Sequence, residues 1–308
     1  MIDFETFLTA LYVFVEDFCK SRWAPERSRG APAGLTRSEV VTLAIAGQWE
    51  CFGSERGFYR YAQRHLRGAF PRLPDRSQFN RLIRLAQDDI AASFRCLAEV
   101  LREPADLFEA LDGTAAPTRD AKRRGLGWLP GLADIGWSNR LGWFEGFHLL
   151  LAVGPAGVVT GFGFAPASAK DQPMAETFFA ARHRADARLP TVGLSADVPY
   201  VTDKGFEGED WHAHWREDYG AEVITPPKRN SRKPWSRAWR RWLAGIRQVV
   251  ETVNGSLHHM FRLDREQPHE LGGFAARITA KMALHNFCIW LNRKLGRPSL
   301  AFVELISW

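Results

Sequence analysis

Three acids stand out for the chemistry they could perform together: Asp112, Asp203 and Glu251. Asp112 closes the strand-like run Leu107-Phe108-Glu109-Ala110-Leu111-Asp112 and is followed by Gly113 and Thr114. Asp203 closes a second short strand, in Val201-Thr202-Asp203-Lys204-Gly205-Phe206. An acid at a strand end projects into the loop region where α/β folds build their sites. Each aspartate alone has a plainer reading, because Asp beside Gly is ordinary turn chemistry. Glu251 falls in a helical segment where Leu243, Ile246, Val250, Val253, Leu257 and Met260 recur at alternating steps of three and four, a buried stripe. Arg247, Glu251, Asn254 and His258 form a parallel polar stripe that can carry the glutamate toward the two aspartates. An exposed Arg247–Glu251 pair one helical turn apart is the alternative.

Phosphodiester cleavage and transfer require neutralised phosphate charge, a deprotonated nucleophile and a stabilised leaving oxygen. Two divalent ions about 3.5–4 Å apart supply all three. Hard ions such as magnesium prefer carboxylate oxygen. Two strand-end aspartates and one helical glutamate make a minimal cage for such a pair.

The elements that must position these acids follow from periodicity. Residues 3–22 read as a helix capped by Asp3, with Phe4, Phe7, Leu11 and Phe14 on one side. After a Gly/Pro-rich break at 30–34, Thr36 and Glu39 form a capping box for a second helix. Asp75 opens another, with Arg76, Asn80 and Arg84 on one side and Phe79, Ile83 and Ala86 on another. Arg, Gln and Asn near a helix start suit a major-groove reader, although a solvated polar face has the same pattern. From about residue 105 strands take over: 107–112, then 146–153 and 158–164 joined by a Gly-Pro-Ala-Gly turn. A helix over 171–188, short strands at 198–202 and 222–225 around a helix at 207–218, and long helices at 240–261 and 270–295 complete the chain. The order predicts a mixed α/β sheet flanked by helices, preceded by an all-helical region.

Between Val223 and Val250 there is no acid, while Lys228, Arg229, Arg232, Lys233, Arg237, Arg240, Arg241 and Arg247 are interleaved with Trp235, Trp239 and Trp242. Basic residues neutralise phosphates and aromatics stack on unpaired bases. A solvated loop running into a core-packed helix is the plainer reading. Residues 119–124, with Lys122 and Arg123, are a weaker segment of the same kind.

Asp112-Gly113-Thr114, Asp203-Lys204-Gly205-Phe206 and Arg247-x-x-x-Glu251, separated by 91 and 48 residues, resemble the DDE signature of bacterial insertion-sequence transposases. Ala280-Lys281-Met282-Ala283-Leu284-His285-Asn286-Phe287 with Leu291-Asn292 resembles that group's closing helix. The similarity runs from about Asp75 to Pro298. Asp197 is the nearest competitor for the second acid, and the Lys-Gly-Phe context favours Asp203. The chain departs from the family pattern at His258, where a Lys or Arg is common, at Ala244, where a Tyr is common, and at His148 in Gly146-Phe147-His148-Leu149-Leu150.

The resemblance implies a ribonuclease H-like core, two Mg2+ ions (with Mn2+ able to substitute) on Asp112, Asp203 and Glu251, and hydrolysis followed by transesterification at element ends. It implies double-stranded DNA, both element ends and target, as partner, and a homodimer or higher assembly on it. The division expected is a helix-turn-helix-like DNA-binding region over 1–104 and a catalytic domain over 105–308 with a basic segment at 226–242. The DNA contacts expected are Arg76, Gln78, Asn80, Arg81 and Arg84, then Lys204, Lys228, Arg229, Arg232, Lys233, Arg237, Arg240, Arg241, Arg247 and His258. A non-catalytic DNA-binding relative and a metal-dependent nuclease without strand transfer are the alternatives.

Composition agrees with these classes. The 308 residues are 45% hydrophobic and 25% charged, proportions of a folded globular protein. A net charge of +6, mostly from arginine, favours an acidic partner. Cys19, Cys51, Cys96 and Cys288 are scattered, which suggests neither a zinc knuckle nor a disulfide framework. The acidic N-terminus lacks a signal peptide's basic start and no apolar run reaches the ~18 residues of a membrane span, so a cytoplasmic, nucleoid-associated protein without a membrane partner is expected.

Overall fold

The computed structural model describes residues 1–22, 34–123, 125–184, 197–227 and 235–308. In chain order its elements are β1 (Ile2–Asp3), α1 (Phe4–Arg22), α2 (Arg37–Ala46), α3 (Glu55–His65), α4 (Arg76–Leu85), α5 (Gln87–Leu101), β2 (Glu109–Asp120), β3 (Asp134–Ser138), β4 (Gly142–Val153), β5 (Val159–Pro166), α6 (Asp171–His183), β6 (Tyr200–Thr202), α7 (Glu209–Tyr219), β7 (Val223–Ile224), α8 (Arg237–His259), α9 (Leu271–Lys294) and β8 (Ile306–Ser307). They form two compact units. One comprises Met1–Leu97, Leu257–Arg265 and His269–Trp308; the other comprises Ala98–Ser256 and Glu266–Pro268.

The first unit is helical apart from β1, which pairs in parallel with β8. Its helices start where side chains satisfy the free amides of a first turn. Asp3 Oδ1 accepts from the Thr6 amide at 2.7 Å. Thr36 and Glu39 form the reciprocal capping box the sequence predicts. Asp75 Oδ1 accepts from the amides of Ser77 and Gln78 at 2.9 and 3.1 Å, which starts α4. Phe4, Phe7 and Leu11 of α1 are buried with most of α2. The central α9 is buried nearly all round, so apolar periodicity gives way to a continuous run. The ammonium of its buried Lys281 donates to Gln48 Oε1 at 2.8 Å. The closing helix thus belongs to this unit, with Lys281, His285, Asn286 and Asn292 enclosed.

The second unit is built on one mixed sheet. β4 pairs antiparallel with β2 on one side and with β3 and β5 along its other edge. Beyond β2 the order continues through β6 to β7, both parallel to their neighbours. An antiparallel meander with two parallel strands added is the ribonuclease H-like arrangement expected. The β3–β4 hairpin was not anticipated, because β3 exposes Ile135 and Trp137 and lacks a buried alternating face.

Residue alternation gives the sheet two packed faces. Leu111 and Tyr200 join Ala175, Phe178 and Phe179 of α6 and Trp215 of α7 in one core. A bidentate ion pair from Arg182 of α6 to Glu109 of β2, 2.9 Å between Nη2 and Oε1, is buried beside it. Ala110 and Val201, the alternate positions, line a cavity with Leu243, Ile246 and Val250 of α8.

Candidate active site

Strand register brings the two aspartates together. β2 and β6 pair in parallel at Glu109–Tyr200, Ala110–Val201 and Leu111–Thr202, so Asp112 and Asp203 are the next residues on adjacent strands. The expectation that Asp112 ends its strand is corrected. β2 continues to Asp120 because β4 pairs with it along that length, including Asp112 with Leu151. What ends at Asp112 is the pairing with β6, which leaves the carboxylate at an open step in the sheet. Asp203 follows directly on the end of β6, close to the expected place, and its Oδ1 accepts from the Gly205 amide at 2.7 Å.

Glu251 reaches the same place from α8. Leu243, Ile246, Val250, Val253 and Leu257 are buried, as their spacing predicts, whereas Arg247 and Glu251 are exposed on the neighbouring face. Asp112, Asp203, Arg247 and Glu251 line the cavity whose floor is Ala110, Val201, Leu243 and Ile246. Asp112 is the most perturbed of the acids. Burial, then the charge of Asp203, pushes its carboxyl up to about 6, against the opposing effects of its amide hydrogen bond and Arg247. Asn254, one turn beyond Glu251, donates from Nδ2 to Asp112 Oδ2 at 3.2 Å. Its own Oδ1 is buried with no hydrogen-bond partner.

The family model for the transposase DDE domain matches residues 105–287, well over half of the chain. The chain belongs to the DDE transposase family. The match spans the sheet and all three acids of this transposase. A solved structure described as a pre-cleavage Mos1 transpososome aligns over 88% of this chain and 85% of its own at 11% identity, with a TM-score of 0.21. That likeness is too loose to add to the argument. No curated protein matches the chain.

The remaining expected residues of the transposase fall into separate groups. Arg76, Gln78, Arg81 and Arg84 are exposed on α4 and Asn80 is half-buried, while Phe79 and Ile83 face inward. Arg84 also approaches Glu270, at 3.3 Å. Lys204 is exposed immediately after Asp203. Arg237, Arg240 and Arg241 are exposed at the start of α8, beside a chain of aromatic contacts. There Trp239 lies 5.8 Å from Trp235 and 5.0 Å from Trp242, which in turn lies 5.7 Å from Phe108. Lys228, Arg229, Arg232 and Lys233 lie outside the described residues, as does Arg124 of the weaker segment. His258 is corrected as a phosphate contact, because it is buried with Nδ1 2.6 Å from Asp264 in the first unit. Asp197, the competitor of Asp203, is exposed at a left-handed backbone position before β6.

A fourth carboxylate that the sequence reading left out stands beside the aspartates. Asp171, the first residue of α6, has Oδ1 3.6 Å from His148 Nε2 on β4. His148 Nδ1 lies 3.2 Å from the Ala169 carbonyl, so this nitrogen donates. Burial, together with Asp203, raises the Asp171 carboxyl, and His148 opposes the rise. Nothing in residue type or spacing separates Asp171 from any acid at a helix start.

Two magnesium ions fit this site in kind. The donors are hard carboxylate oxygens. A half-buried carboxyl pushed up to about 6 and the orphaned Asn254 Oδ1 beside it are both short of positive charge. Among the described residues the acids share the cavity without standing as a closed cluster of three metal ligands.

Proposed function

We propose that this transposase binds the terminal inverted repeats of an insertion sequence, cleaves DNA at the element ends and joins the 3′ ends to target DNA. The observation that carries the reading is the register that puts Asp112 and Asp203 side by side, in one cavity with Glu251. Asp112, Asp203 and Glu251 would hold two Mg2+ ions, with Mn2+ as a substitute. Such ions activate a water or a 3′ hydroxyl and stabilise the leaving oxygen.

The chain's own residues divide the remaining work. Asn254 fixes the orientation of Asp112 through its 3.2 Å hydrogen bond. Arg247, on the cavity rim, offsets carboxylate charge and offers a guanidinium fork to a phosphate. Lys204, Arg237, Arg240 and Arg241 add positive charge that attracts the DNA backbone. Exposed Trp239 offers a stacking surface for an unpaired base at a cut end. On α4, Gln78 and the arginines read an end sequence in the major groove. A dimer or larger assembly would hold two ends at once.

The test is a cleavage assay on DNA carrying the candidate element ends, with Mg2+, Mn2+ or Ca2+, comparing the native protein with Glu251→Ala. Metal-dependent nicking at the end, absent in the variant, is expected. Equal nicking by both would place the chemistry elsewhere. A target plasmid in the same reaction separates strand transfer from hydrolysis.

A further inference from the structure

Glycines stand just after both aspartates, and Asp171 borders the space beside each. A Cβ on Gly205 would stand 2.3 Å from Asp171 Oδ2 and 2.9 Å from Asp203 Oδ1. A Cβ on Gly113 would stand 2.3 Å from His148 Nε2 and 3.4 Å from Asp171 Oδ1. Real Cβ atoms essentially never approach within 3.0 Å of a heavy atom, so a larger residue at Gly205 displaces Asp171 or Asp203, and one at Gly113 displaces His148. Neither glycine has a positive φ, so room for a neighbour, and not backbone freedom, accounts for it.

We propose that Asp171 is a fourth carboxylate of the cation site, held there by His148 and admitted by Gly113 and Gly205. The inference rests on the two-metal reading above and extends it. Asp171 Oδ2 and Asp203 Oδ1 converge on one point, while the other Asp171 oxygen faces the imidazole. That arrangement leaves one oxygen of Asp171 for a cation beside Asp203. His148 is anchored through Ala169, two residues before Asp171, so its imidazole, when protonated, attracts the carboxylate from a fixed position on β4. His148 is a positioning residue here, acting through Asp171.

The test uses the full chain without DNA and Mn2+ as the probe, titrated by electron paramagnetic resonance. Binding to the native protein, Asp171→Asn, His148→Gln and Asp112→Asn is compared after circular dichroism has verified each fold. Asp171→Asn is expected to weaken Mn2+ binding roughly tenfold or more, and His148→Gln to weaken it less, the range seen when partners of metal ligands are removed. Asp171→Glu, which retains the charge, is expected to recover part of the loss. Binding lost in Asp112→Asn but unchanged in Asp171→Asn overturns the inference and leaves the two-metal reading standing. Binding that is absent in the native protein, or indifferent to Asp112→Asn, overturns both.

Discussion

Replacing Asp112 by Asn should stabilise the metal-free protein at neutral pH while abolishing cleavage. The Asp112 carboxyl lies at about 6 in the folded chain against an ordinary value of 3.8, mainly through burial and the neighbouring charge of Asp203. The folded state therefore binds more protons than the unfolded state between these two values, and stability falls as pH rises through that window. Above it, the ionised carboxylate costs the fold about 3 kcal/mol, at about 1.4 kcal/mol per tenfold change in proton affinity. An Asn keeps an oxygen for the Asn254 hydrogen bond and carries no charge to desolvate. For a domain of this size the gain corresponds to roughly 5–10 °C in Tm. The assay is thermal unfolding in EDTA at pH 4 and pH 7.5. The variant should melt higher at pH 7.5, and the difference should shrink to little at pH 4, where Asp112 is largely protonated in the native chain too. Millimolar Mg2+ should raise the native Tm and leave the variant unmoved, because a cation relieves the same repulsion. Equal melting temperatures in EDTA at pH 7.5 would refute the reasoning.

The Arg182–Glu109 pair should behave in the opposite way. Glu109→Gln leaves a buried guanidinium without its counter-charge and should cost about 3–5 kcal/mol in urea unfolding, whereas a matched apolar double replacement should recover most of that. A single-variant cost below about 1 kcal/mol would mean that the pair opens to solvent. On α4, Gln78→Ala should relax preference among end sequences by about 1–3 kcal/mol, while Arg81→Ala should weaken all duplexes alike and lower the salt slope of binding by about one. Binding isotherms on matched and scrambled ends at several salt concentrations distinguish these outcomes.

The fold was legible wherever one periodic signal decided it. The buried stripe of α8, the caps at Thr36 and Asp75, and the places of β6 and β7 along the chain need only local spacing to be read. Spacing fails where tertiary packing decides. β2 looked as though it ended at Asp112 because its outer residues, Gly113 and Thr114, carry no apolar alternation, yet β4 pairs with it as far as Asp120. His258 stands in register with Arg247, Glu251 and Asn254, and only three-dimensional packing reveals that the stripe becomes buried against Asp264 at that point. A helical period fixes direction but not depth. The same limit applies to the closing helix, whose Lys281, His285 and Asn286 are polar by type and yet lie enclosed in the helical unit.

The two Asp-Gly neighbourhoods show why a motif can point to the right place for an incomplete reason. Read along the chain, Asp112-Gly113 and Asp203-Lys204-Gly205 have the composition of turns. In the fold, Gly113 lies inside β2, and neither glycine uses a left-handed backbone. A turn would tolerate Asn at such positions, and a site packed this closely would not. Gly113→Ala should therefore act on His148, and Gly205→Ala on Asp171 and Asp203, before either acts on the backbone. In that case the side chains that approach from α6 and β4 limit which residues can stand after the aspartates, a constraint that sequence spacing does not contain.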